Sequence, residues 1–379
     1  MTKKYLPGPA LSIAIAIILL TLIAHAPARD MINRRLCDQL IKVRYNLCKR
    51  PPAINDITLV LIDNDTLKKM PSRWPYPRSD FAKVIDNLKK AGAKTIAFDF
   101  VFLGSSSPQD DSLLKNALEN NDNIVLACSV NERGALDFHS LPALGLAKEV
   151  PAGIITKIQD KDGVTRRALT YLVADSAPDK GYLSWEMQVL KMAESVSLDS
   201  FSSSKDRVVF KNSSAKLWSI PVTPGTKSFM INFTAHTPDF RLLSFYDVLK
   251  NNFDPSAVKN KIALIGLASS LFADLHNTPI GWLPGITLNA NSFLTLYGRH
   301  FLNPVPGWVG YILIIIGVAI ASLLVSALKA GAAYILISAE IALFFLLSYL
   351  LLMAGYIWNY SDFPIALIIC PAAAKKILG

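Results

Sequence analysis

Apolar positions fall into different rhythms along this chain. Near the ends they run almost unbroken: residues 10–26 and 307–328 carry no charged side chain, and residues 331–353 carry one, Glu340. A bilayer core takes about 20 apolar residues of helix, so the two later runs predict spanning helices. Residues 363–374 are too short alone. Extended back to Tyr356 they admit Asn359 and Asp362 and reach a sufficient length, with Tyr356, Trp358 and Tyr360 at the interface. The first run also fits a signal peptide, because Ala24, His25 and Ala26 form a small-x-small pattern. It exceeds the usual apolar region of about 7–15 residues, and Pro27 follows it, so the expectation is a retained anchor.

Between residues 29 and 304 the rhythm changes to strand and helix in turn. Residues 57–62 form a short β-branched run that suits a strand buried on both faces. Pro77, Ser79 and Asp80 then open a helix whose stripe is Phe81, Val84, Ile85 and Leu88, closed by Gly92. Residues 95–100 predict a second strand. Asp110 and Asp111 start a helix with Leu113, Leu114, Ala117 and Leu118 on one face, and residues 124–128 predict a third strand. This order implies right-handed parallel crossovers. Residues 154–158 and 169–173 flank an Asp160 to Gly163 turn signal and predict a hairpin, in which Arg166 and Arg167 belong to the turn chemistry. Further on, residues 182–193 and 245–249 read as helices, 208–210, 229–233 and 262–267 as strands, and Pro284 and Gly285 precede a helix. The predicted fold class is α/β: a mainly parallel sheet flanked by helices with β-hairpin insertions, anchored by transmembrane helices, one N-terminal (1–28) and three C-terminal (305–379; about 307–328, 331–353 and 356–374).

Composition agrees with a membrane chain: 51% of residues are hydrophobic and mean hydropathy is positive. Lys3, Lys4, Lys329, Lys375 and Lys376 fall on one side of a four-span arrangement, which makes that side cytoplasmic and the 29–304 domain extracytoplasmic. The net charge of +10 is otherwise spread out, and no basic run carries interleaved aromatics, so no nucleic-acid partner is expected. Cys37 and Cys48 bracket a stretch, 38–47, that reads as helix and would hold them ~16 Å apart, beyond disulfide reach. Cys128 and Cys370 read as small buried hydrophobes. His25, His139, His236, His276 and His300 share no metal or triad spacing, and no Gly-rich phosphate loop is present. No catalytic residue is assigned, no enzyme is expected, and cofactor and metal are left unassigned.

Candidate chemistry gathers at the strand ends. Asp63 and Asp65 follow the first strand, Asp99 ends the second, and Asp110 and Asp111 lie on the same predicted edge, where parallel sheets bind ligands. Such carboxylates could hold Mg²⁺ or Ca²⁺, or serve only as caps of loops and helices. Trp74 could wall that pocket with Arg78 as an anion contact; alternatively Trp74 packs on the core and Arg78 pairs with Asp63 or Asp99. Glu340 costs ~3 kcal/mol near the bilayer centre, so it is expected to face other helices and couple them, with Ser322 and Ser326 as candidate donors or a second copy or partner helix as contact.

Several stretches together resemble the type-2 CHASE domain, an extracytoplasmic sensory module of bacterial membrane receptors. They are LVLIDNDTL (59–67), RWPYPR (73–78), AGAKTIAFDFVF (91–102), DDSLLKNAL from Asp110, DKDGVTRR (160–167), MINF (230–233), IALIG (262–266) and the series Asp274, Thr278, Pro279, Pro284, Gly285. The resemblance implies one helix before the domain and three after it, in a multi-pass protein of the bacterial inner membrane. It also implies a sensor for a small ligand or protein. The family usually continues into a cytoplasmic output enzyme, whereas this sequence stops at Gly379. A separate signalling partner, with homo- or hetero-oligomers formed through the transmembrane helices, is therefore expected; the alternative is a structural or docking subunit of an envelope complex without a small ligand.

Overall fold

The computed structural model describes residues 7–23, 27–130, 136–137, 146–147, 149–174, 177–197, 200–269 and 274–378. Lys3, Lys4, residues 24–26, His139 and Gly379 lie outside them. The chain divides into two compact units, residues 49–301 and a unit built from residues 1–48 and 302–379.

The second of these units is helical. It holds α1 (Pro7–Ile23), α2 (Pro27–Leu47) and three further helices at the far end of the chain. Helix α2 begins well before the predicted 38–47 stretch because Pro27 suits a first turn and no glycine or later proline interrupts the helix. Cys37 and Cys48 are free thiols.

In the 49–301 unit, β1 (Ile57–Ile62) is buried at every position. It leads into α3 (Asn64–Lys69) and α4 (Arg78–Lys90). After β2 (Thr95–Phe98) come α5 (Pro108–Glu119), β3 (Ile124–Val130), β4 (Leu136–Asp137) and β5 (Ala152–Ile154). Two hairpins come next, β6 (Lys157–Gln159) with β7 (Thr165–Leu169) and β8 (Tyr171–Ala174) with β9 (Ala177–Leu183), ahead of α6 (Trp185–Glu194). Strands β10 (Ser202–Ser203), β11 (Arg207–Lys211) and β12 (Leu217–Pro221) make a small antiparallel sheet, and β13 (Ser228–Met230) joins β7. Last come β14 (Arg241–Ser244), α7 (Phe245–Leu249), β15 (Ile262–Leu267), the hairpin β16 (Leu275–Thr278) with β17 (Gly281–Pro284), and α8 (Gly285–Tyr297).

The main sheet has the order β14-β1-β15-β2-β3-β4, with β5 also on β3, and all pairings but β3 with β4 are parallel. Thus the late strand β15 lies between β1 and β2, pairing Leu59 with Leu264 and Leu264 with Ala97. Alternate side chains face opposite sides. Val60, Ile62, Ile96, Phe98, Ala263 and Ile265 pack under α4, α5 and α7. The other side is covered by α6, against β2, β3 and β5, and by α8, against β15. Each fully buried Val, Leu, Ile or Phe contributes roughly 1.5–3 kcal/mol, and the doubly covered sheet supplies many such positions.

Local boundaries shift for identifiable reasons. Strand β2 stops at Phe98 because Phe100 and Phe102 turn back onto Phe81 and Phe98. The predicted hairpin exists, but its strands are 157–159 and 165–169; Ile154 is drawn instead into the parallel pairing with Cys128. Arg166 and Arg167 lace that turn to Asp160 and Asp162 at 2.7–2.9 Å. Helix α6 starts at Trp185, where the Ser184 hydroxyl accepts from Met187 N, and the residues before it pair in β9.

In the helical unit, α9 (Gly307–Ala327) and α10 (Ala330–Met353) are long and apolar enough to cross a membrane, and among the described residues they are the two that are. Helices α1 and α11 (Asp362–Leu378) have 17 residues each. Helix α11 starts late because the Asn359 side chain accepts from Ser361 N and Asp362 N, capping it there. These four helices share one core through Ala16, Val318, Ala321, Ile337, Phe344, Ala366 and Leu367.

Candidate functional site

The carboxyl edge of the sheet does not gather the predicted acids. Because β15 separates β1 from β2, Asp63 and Asp99 emerge two strand spacings apart, about 10 Å. The Asp63 carboxylate turns back to cap α3, accepting from Thr66 N at 2.7 Å. Asp65 is exposed and pairs with Lys69 at 3.0 Å, which holds its carboxyl below the usual range. Asp110 is tied to Ser107 at the start of α5. Among the described residues, no three His, Cys, Asp or Glu side chains stand close enough to hold a metal ion.

Trp74 and Arg78 belong to the α4 side of the sheet. Trp74 packs edge-on against Tyr76 and Phe100, ring centroids 5.4 and 5.6 Å apart, as part of the core rather than as a pocket wall. Arg78 is buried and pairs with neither Asp63 nor Asp99: its Nη1 lies 2.5 Å from Asp111 Oδ1, and its Nη2 donates to the Leu103 and Gly104 carbonyls. Packing of α4 on α5 brings Asp111 to it, so Arg78 fastens the loop after β2.

Asp99 faces the opposite side and has different company. Its backbone N–H donates to Ile265 O at 2.8 Å, and its side chain accepts from Asn289 Nδ2 on α8. Trp185 Nε1 donates to Phe98 O at 2.8 Å, which pins the first turn of α6 beside Asp99. The approach is close: a Cβ on Gly153 would stand 2.4 Å from Trp185 Cα. Glu186 therefore points into the interior, wholly buried, with Lys157 Nζ 2.6 Å from its Oε1. Its other oxygen, Oε2, has no hydrogen-bond partner, and neither has the buried Asn289 Oδ1. Asp274 lies at the first residue of α8, its carbonyl accepting from Gly285 N and its carboxylate 3.0 Å from His276 Nε2.

Charges in this cluster act on one another. Burial pushes the Asp99 carboxyl up to about 8, with Glu186 and Asp274 adding to the rise and Lys157 and Asn289 opposing it. The His276 imidazole holds the Asp274 carboxyl below the usual range. Of the five residues predicted to bind ligand, Asp99 alone sits here. Lys157, Glu186 and Asn289 were missed, although Glu186 left a signal: it shares a helix face with Val189, Leu190 and Ala193, a lone acid on an apolar stripe.

Glu340 also turns inward. Its Oε1 lies 3.0 Å from where a Cβ on Gly317 would stand, and its buried Oε2 has no hydrogen-bond partner. The proposed donors are engaged elsewhere, Ser322 accepting from Ser12 and Ser326 donating to Ser322 O.

A family model described as the CHASE2 domain matches residues 13–324. This chain belongs to the CHASE2 family. CHASE2 domains are sensory, and the match takes in part of α1, all of α2 and the α/β unit, and most of α9. Neither the curated proteins nor the solved structures contain a match to this CHASE2 chain.

Proposed function

We propose that this CHASE2 protein is a membrane-anchored sensor: its α/β domain, outside the cytoplasm of a bacterium, takes up a small ligand at the Asp99 edge, and its transmembrane helices pass the change to a separate partner in the inner membrane. The observation that carries the reading is the cluster itself. Buried charge with unsatisfied atoms at the carboxyl edge of a parallel sheet is costly to fold and is where such sheets take ligands.

Four spans are supported by the surface of the bundle. Ile17 and Ile18 on α1, Ile312, Ile316 and Ile320 on α9, Leu343, Leu346 and Leu350 on α10 and Ile368 on α11 are all exposed. A helix that is apolar all round suits lipid, and 17 residues reach about 25 Å, the short end of a span. From this bundle α2 runs on to the start of the domain at Lys49. Arg29 grips Asp362 through two bonds of 2.8 and 2.6 Å, and Asn33 accepts from Tyr360 N at 2.6 Å. A ligand with different affinities for two states of the domain can bias α2, and α2 is fastened to α11. Glu340, half-buried beside Gly317, couples α10 to α9 within the chain.

The test is cross-linking in membranes from Leu346→Cys on the outer face of α10, on a background whose native cysteines are replaced. A sensor changes its cross-linked products when Asp274→Asn or Asp99→Asn is added. Unchanged products favour a second reading, a docking subunit of an envelope complex, which draws support from Leu275 and Trp282, 49% and 65% exposed on one face of the β16–β17 hairpin.

A further inference from the structure

We propose that the Asp99 cluster is a binding site for a small protonated amine, an inference that rests on the sensor reading of the same edge and names the class of its ligand. Donors and acceptors in the cluster are unevenly matched. Carboxyl groups come from Asp99, Glu186 and Asp274, and an amide oxygen from Asn289; against them stand the ammonium of Lys157 and the imidazole of His276. Lys157 is already committed, to Glu186 Oε1 and to the Ile155 carbonyl at 3.2 Å. The unsatisfied atoms are all of one kind. Glu186 Oε2, on a side chain with 0% exposure, and Asn289 Oδ1, on a residue with 5%, are both acceptors without a donor.

A site short of donors and lined by carboxyl oxygens selects a ligand that is positive and carries several N–H groups. An anion would meet the carboxylate oxygens of Glu186 and Asp274. A divalent metal would need three or more oxygens converging at about 2.0–2.6 Å, and the described residues hold no such group of carboxylates and imidazoles. An ammonium accepts looser geometry: three N–H donors can each reach a different acceptor at hydrogen-bond distance. Access is graded in the right order. The Asp274 side chain is 65% exposed, Asp99 is half-buried and Glu186 is wholly enclosed, so acceptors lead from the surface inward. Nothing in this set would recognise a bulky apolar tail, which restricts the class to small amines.

The experiment uses the full chain in detergent or nanodiscs and follows thermal unfolding. Methylammonium and ethanolamine chloride at tens of millimolar should raise the melting temperature by about 3–5 °C over sodium chloride of equal ionic strength. The shift should disappear in Asp99→Asn, and in Asp274→Asn, whose exposed side chain makes misfolding no explanation; Asp65→Asn, outside the cluster, should keep it. Equal shifts from sodium and the amines, or a shift that survives both cluster variants, would overturn the proposal, and a response to magnesium alone would replace an amine by a metal. Failure here is separable from failure of the sensor reading. An amine-dependent melting shift with unchanged cross-linking at position 346 leaves the site and removes the sensor. Cross-linking that responds to Asp99→Asn without any amine effect does the reverse.

Discussion

At the scale of single residues, the chemistry of the domain turns on ionisable groups that fold into the interior. Asp99 is the clearest. Its carboxyl is raised to about 8 in the folded chain and would titrate near 4 unfolded, so the stability tied to its protonated form is complete below pH 4 and is lost as pH rises toward 8. Asp99→Asn should remove that part of the decline, which melting curves taken between pH 4 and 9 will show as a flatter profile. The Lys157 and Glu186 pair makes a second case. Lys157→Met strands a buried carboxylate and should destabilise the domain by about 3–5 kcal/mol, while the double variant Lys157→Met with Glu186→Leu should regain most of it. Denaturant titration of the three proteins decides. Asp99 was legible in the sequence because it lies near the carboxyl end of a predicted parallel strand, the edge where such sheets bind ligands. Lys157 and Asn289 were not, because each reaches the cluster through a tertiary pairing that leaves no local periodicity.

At the scale of elements, reading was best where periodicity and punctuation agree. Strand β1 and helix α7 match their predicted bounds, and α4 begins one residue after Pro77. It was poorest where two elements compete for one stretch, as at residues 154–158 and 182–193, where pairing partners far along the chain decide which residues join. In the bundle, close approach of helices depends on Gly317. A Cβ there would stand 2.8 Å from the Phe363 ring and 3.0 Å from Glu340 Oε1, and the ring that must shift is stacked on Phe344 at 4.4 Å. Gly317→Ala should loosen α9 from α10 and α11 and cost about 1–3 kcal/mol. Purified protein should then lose its helical signal at a lower temperature, while Gly310→Ala, with open space around it, should melt as the parent does.

At the scale of the whole molecule, the two long apolar helices α9 and α10 and the α/β class were visible in composition and rhythm alone, whereas the grouping of side chains around Asp99 was not. The failure has one cause: the order of strands in a sheet cannot be read from their order in sequence, and β15 displaces β1 from β2. The proposed orientation rests on the lysines. With native cysteines replaced, Asp162→Cys should react with an impermeant thiol reagent added to intact cells, and Lys329→Cys should react only after permeabilisation. The opposite pattern would invert the sensor.

That same late strand sets a schedule for the chain. As synthesis proceeds, β1 and β2 are made early, yet the partner that fills the gap between them arrives some 160 residues after β2 ends, and until it does both carry unpaired edges. Nothing local can close the sheet in the meantime, so the domain should commit to its native form in one late step, slowly, as high contact order demands. A nascent chain arrested at residue 255 is expected to stay open to protease, and one extended to residue 301 to resist it.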